Sequence, residues 1–155
     1  MMLTSTQIGE LAAQFFIAGV GNLCFAVLFT CPRKSLFFCG LVGAVGWFVY
    51  ELAVMLGADS AAASLLAVIP LTLLTRVFAI TLKLPVTVFL LSGIFPLVPG
   101  AGIYWTSYYL VTAQMRLAMS SGFAAMKAAI AIVLGIVFVF EIPNGFFRVL
   151  AGKRP

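Results

Sequence analysis

An all-α integral membrane protein of about five transmembrane helices, the fourth broken into two half-helices, is the fold class this sequence predicts. Three observations carry that expectation. Hydrophobic residues fill 64% of the 155 positions and charged ones only 8%, with a mean hydropathy of +1.22, whereas a soluble domain carries about a quarter charged residues. The apolar residues gather into stretches of roughly 20, the length a helix needs to cross a ~30 Å hydrocarbon core. The basic residues then fall unevenly on the loops that five crossings create. No long polar segment is left for an extramembrane domain, so 1–155 reads as a single transmembrane domain.

The first span covers about 7–30 and ends at "CPRKS", where Pro32 and two charges stop it. Its flank "MMLTSTQIGELAAQ" has no basic region and no small-residue cleavage site, so a retained span is expected here and not a secretory signal. The second covers 35–57 and ends at Gly57 and Asp59, and the third covers 61–82, followed by Lys83 and Pro85. The fourth is the long segment 86–115, and the fifth covers about 121–142 and stops at "PNG" (143–145) before a basic tail. One side of the membrane then carries Arg33, Lys34, Arg76, Lys83, Arg148, Lys153 and Arg154, and the other only Arg116 and Lys127. The positive-inside rule places the N-terminus outside and the C-terminus in the cytoplasm.

Within the fourth span lies "GIFPLVPGAGIY", residues 93–104. Pro96 and Pro99 remove helix donors and clash with the preceding turn, while Gly100 and Gly102 relax the backbone further. As two half-helices the lengths fit: Val86 to Phe95 spans about 15 Å, half the hydrocarbon core, so the break at 96–102 is expected near the midplane. Irregular backbone at that depth survives only where protein buries it or where it lines a polar cavity. Interrupted spans are also the sequence pointer to a transporter's binding site.

Tyr104, Ser107, Tyr108 and Thr112 recur at i, i+3, i+4 and i+8 after the break and so share a helical face. That face either lines an aqueous path or packs its tyrosines at the interfacial belt. The free N–H groups of the second half-helix suit a carboxylate. Arg76 shares a face of span three with Thr72 and Lys83; it either snorkels to the headgroups or turns inward to bind an anion or pair with Glu141. Glu10 or Glu51 is positioned to meet Lys127 or Arg116 near the outer side, and Glu51 is the first candidate for proton coupling. Gly40, Gly43 and Gly46 repeat every three residues, which suits close helix approach.

Several functions are excluded by composition. With no His, one Asp and three Glu, neither a Ser-His arrangement nor a two-His metal site can form, so no enzyme, metal or cofactor is expected. Cys24, Cys31 and Cys39 form no C-x-x-C and read as apolar packing residues. The net charge of +5 needs no nucleic acid, since basic loops beside the bilayer account for it.

The blocks "CPRKSLFFCGLVGAVG" (31–46), Arg76 followed by "KLPVTVF" (83–89), and "GIFPLVPGAGIY" (93–104) resemble the threonine/serine exporter family, specifically its smaller C-terminal membrane half. Long members look like two five-span halves in one chain, the first preceded by a hydrolase-like region, and split bacterial members encode the halves separately. The resemblance implies a bacterial inner-membrane subunit of a two-component secondary exporter that moves threonine, serine or related small metabolites outward on the proton gradient. Some split members are associated with succinate export. It implies a second, larger membrane subunit as partner and leaves a higher-order oligomer open. The expected substrate contacts are Pro96, Pro99, Gly100, Tyr104, Ser107, Tyr108 and Arg76, with Glu51 and Glu141 available for coupling or ion pairing. The alternative outside transport is a membrane subunit that only stabilises a partner.

Overall fold

The computed structural model describes residues 5–143, and every regular element among them is helical. In chain order these are α1 (Ser5–Leu28), a 3-10 turn (Arg33–Ser35), α2 (Leu36–Met55), α3 (Ser60–Leu82), α4 (Val86–Ile94), a second 3-10 turn (Phe95–Leu97), α5 (Gly100–Val111) and α6 (Met115–Phe140). Gly9–Leu28, Arg33–Met55, Ser60–Leu82 and Met115–Phe140 are each long and apolar enough to cross a membrane. Val86–Leu97 and Gly100–Val111 add a fifth crossing if they form one span, bent by 51°. Asn144, Gly145, Arg148, Lys153 and Arg154 lie outside the described residues.

Cross-helix contacts fix the relative directions. The indole of Trp47 on α2 donates to Gln14 on α1 at 2.8 Å while Gly40 abuts Leu23, so these two helices run antiparallel. Helix α4 runs beside α2 in the same direction, because Cys39 reaches the Val88 carbonyl at 3.6 Å while Gly93 abuts Val42. Lys127 meets Asp59 at the start of α3, and Arg76 near its end meets the last carbonyls of α6, so α3 and α6 are parallel. Arg33, Lys34 and Lys83 therefore gather at one end of the bundle, here termed the basic end, with the C-terminus of α6.

Helix ends explain a boundary that the sequence reading placed differently. The fifth span was expected from about 121, but α6 begins at Met115. Helix α5 stops at Ala113, which takes a left-handed φ of 56° while Gln114 N–H bonds the Tyr109 carbonyl at 2.8 Å and Ala113 N–H bonds that of Leu110 at 3.1 Å. This paired closure satisfies the orphan carbonyls of a helix C-terminus. Thr30, Lys83 and Gly57 end α1, α3 and α2 with the same left-handed turn. Only one of the four is a glycine, so three of these stops leave no sequence signature.

Small residues let the helices close on one another. A side chain at Gly43 would occupy the space of the Asn22 amide, one at Gly46 would meet Leu71, and one at Gly135 would meet Val68. The central layer joins Val42, Val68, Leu71, Leu97 and Ile132, all 5% exposed or less. Leu71 is the middle residue of α3, so Leu97, at the end of the second 3-10 turn, brings the break to about half the height of the bundle. A second cluster around Phe89 and Cys39 fills the basic end.

Candidate functional site

Pro96 has no N–H to offer the Ser92 carbonyl, and the helix gives way to a 3-10 turn at Phe95–Leu97. Val98 is extended (φ −59°, ψ 128°), as a residue before proline prefers. Pro99 (φ −74°, ψ 54°) then sits at the centre of a tight three-residue turn closed by Gly100 N–H to the Val98 carbonyl at 2.7 Å. The first helical bond of α5 comes from Ile103 N–H to the Pro99 carbonyl at 3.1 Å. Among the described residues, the amides of Ala101 and Gly102 have no such acceptor.

A cavity of about 380 Å³ opens against this break. Residues 96–102 form one wall, Trp47 and Tyr50 of α2 a second, Ser60 and Ser64 of α3 a third, and Ala124, Ala125 and Ala128 of α6 the last. The size suits a small metabolite, and the small residues on α6 keep the space open. Its polar groups are sparse and placed. Tyr50 and Ser60 hydroxyls lie 3.3 Å apart, and Ser64 donates to the Ser60 carbonyl at 2.8 Å. Trp47 and Pro96 also line a second cavity, on the α1 side with Gln14 and Asn22, so this pair stands between the two spaces. The Gln14 bond holds the indole in that position.

The ion pair beside the cavity joins Lys127 Nζ to Asp59 Oδ2 at 3.3 Å, one residue from Ala128 and one from Ser60. This corrects the expectation that Glu10 or Glu51 would meet Lys127. Asp59 is the partner because α3 and α6 run parallel with Ser60 level with Ala124–Ala128.

The structure gathers some of the sequence candidates and separates others. Pro96, Pro99 and Gly100 line the cavity. Tyr104 and Tyr108 do not: they are 62% and 45% exposed and meet Trp105 and Tyr109 edge to face on the outer face of α5. Ser107 lines a shallow groove with Pro99 and Thr106, its hydroxyl donating to the Ile103 carbonyl at 3.1 Å. Arg76 is buried nearer the basic end, where Nη1 donates to the carbonyls of Val139 and, at 2.8 Å, Ile142, with Phe140 beneath its guanidinium at 5.5 Å. Glu141 follows directly on Phe140 and is exposed, and Glu51 adjoins the cavity residue Tyr50.

A scan against protein families matches residues 14–142 to the family described as Threonine/Serine exporter, ThrE. The chain belongs to the threonine/serine exporter family. Membrane transport of the exporter type follows from that membership. Searches of curated proteins and of solved structures found no match.

Within this exporter-family fold the contributions that sequence reasoning missed are those of α2 and α3. Trp47 with Tyr50 (i, i+3) and Ser60 with Ser64 (i, i+4) are each spaced to share a helix face. The signal was present, but nothing in the sequence showed that those two faces converge on the break.

Proposed function

We propose that this chain is the membrane subunit of a secondary exporter for small carboxylate-bearing metabolites of the threonine/serine type, with the solute held at the break in residues 96–102. The observation that carries this reading is the cavity against the break, closed on one side by interrupted backbone with two unpaired amides. A helix N-terminus offers partial positive charge to a carboxylate. Ser60, Ser64 and Tyr50 offer hydroxyls to a polar side chain or ammonium group on the opposite wall. Water-filled or protein-lined irregular backbone is the arrangement that a lipid environment tolerates.

The basic end faces the cytoplasm in this account, because positive loops are retained on that side. Export is then movement away from the end that carries Arg76. Glu51, beside Tyr50, is the carboxylate placed to couple proton movement to the cavity. A larger membrane half supplies the remaining wall of the path, and it would cover the exposed aromatic face of α5.

Deleting the gene in a cell that overproduces threonine tests this directly. Threonine or serine should accumulate inside, and re-expression should restore efflux. Unchanged efflux of both would sink the amino-acid assignment, whereas retention of succinate alone would move the substrate to the dicarboxylates.

A further inference from the structure

Hydroxyls on the helices of this chain commonly bond back to their own backbone: those of Ser64, Thr81, Ser92, Thr106, Ser107 and Thr112 each donate to a carbonyl three or four residues earlier. Those of Thr72 and Thr75 do not. Both residues are fully buried, and among the described residues neither Oγ1 has a hydrogen-bond partner. A buried hydroxyl left unmatched costs free energy that an isosteric valine would not. Two of them on adjacent turns of one helix call for an explanation.

Their position supplies one. Along α3 from its first residue, Ser60 and Ser64 line the cavity, and Val68 and Leu71 pack with Leu97 in the central apolar layer. Thr72 and Thr75 come next, and then Arg76, whose guanidinium holds the end of α6. Polar residues of α3 thus lie on both sides of one apolar layer. That layer includes Leu97, 5% exposed, which is carried at the end of the 3-10 turn Phe95–Leu97 within the broken span.

Building on the exporter reading above, we propose that Thr72, Thr75 and Arg76 form an inner stage of the solute path, and that Leu97 is the plug between this stage and the cavity. The stage fits a small hydroxylated carboxylate. Paired hydroxyls can donate to or accept from its hydroxyl or ammonium group. The guanidinium matches its carboxylate in place of the backbone carbonyls it now holds. A solute arriving from the basic end would release the end of α6 from Arg76 and fill the bonds that Thr72 and Thr75 lack. Rotation of the break would then lift Leu97 aside.

The test uses the complete exporter in cells loaded with threonine, comparing wild type with Thr72→Val/Thr75→Val. The double variant keeps side-chain shape and removes both hydroxyls, so it should insert normally and melt no lower than wild type. Its efflux should fall about tenfold, the loss expected when two hydrogen bonds to the moving solute disappear. In parallel, Thr72→Cys should resist an impermeant thiol reagent in resting inverted vesicles and react during export, with peptide mass separating it from Cys24, Cys31 and Cys39. In right-side-out vesicles, where the reagent arrives through the cavity, Leu97→Ala should make it react at rest. Efflux by the valine variant equal to that of wild type overturns this proposal alone. A wild-type exporter that moves neither threonine, serine nor succinate overturns both this proposal and the function it rests on.

Discussion

The two halves of the broken span are held in different ways. Helix α4 buries Phe89, Ser92 and Gly93, and the turn after it buries Leu97; this half packs against both α2 and α3. Helix α5 buries none of its twelve residues and packs on α6, with no more than marginal contact to the other described elements. The break therefore joins a half set into the core to a half that leans on one neighbour. In lipid a helix gains no hydrophobic free energy by leaving the hydrocarbon and is held by close packing of its side chains, so the resistance to movement differs between the two halves. A transporter needs this contrast at its site: one wall stays fixed while the other shifts.

Changes that erase the contrast should have the largest effect. Pro96→Ala/Pro99→Ala restores two helix donors and removes both steric clashes, each proline costing about 3 kcal/mol in a helix interior. The variant should insert, gain helical signal by circular dichroism and lose efflux; normal efflux from a straightened helix would count heavily against the site. Next comes Gly93→Ala on the anchored half, where the added Cβ would lie 2.5 Å from Val42. Overpacking of that kind costs about 1–3 kcal/mol and should lower the melting temperature in detergent. The matched change at the start of the other half, Gly100→Ala, meets nothing within 4 Å and should leave the melting temperature nearly unchanged. Equal losses from the two would remove the distinction between the halves.

Smaller effects sharpen the boundary of the site. Tyr104→Phe/Tyr108→Phe removes hydroxyls that point away from the cavity, so efflux should stay within about twofold of wild type, less than the value of one hydrogen bond. A tenfold loss would bring the α5 face back into the path. Smallest of all is Ala113→Gly. The left-handed φ of 56° at Ala113 costs an L-residue about 1–2 kcal/mol, which glycine avoids at some cost in unfolded-chain entropy. A slight rise in melting temperature should result, and a fall would contradict the closure described for α5.

The fold class was legible because hydropathy over some 20 residues reports directly on the bilayer, and the break because two prolines three residues apart have no helical solution. That Pro96, Pro99 and Gly100 fall at the break was legible for the same local reason. What could not be read was whatever depends on how helices meet. Tyr104, Ser107 and Tyr108 share a face, but sequence periodicity cannot tell whether that face turns toward the cavity or away from it. Asp59 pairs with Lys127 across 68 positions of chain because two parallel helices are in register, a tertiary fact. The start of α6 was displaced because Ala113 ends α5 without a glycine. The family resemblance, in contrast, rested on contiguous blocks and was confirmed over 14–142.

The most direct test of the account is substrate protection inside the cavity. Ala101 lines it, is exposed, and carries one of the two unpaired amides. In membranes containing the assembled exporter, Ala101→Cys should react with a small thiol reagent, and threonine or serine should slow that reaction in a saturable way while an apolar amine of similar size does not. A labelling rate unchanged at any threonine, serine or succinate concentration, in a variant that still exports, would contradict the placement of the solute at the break.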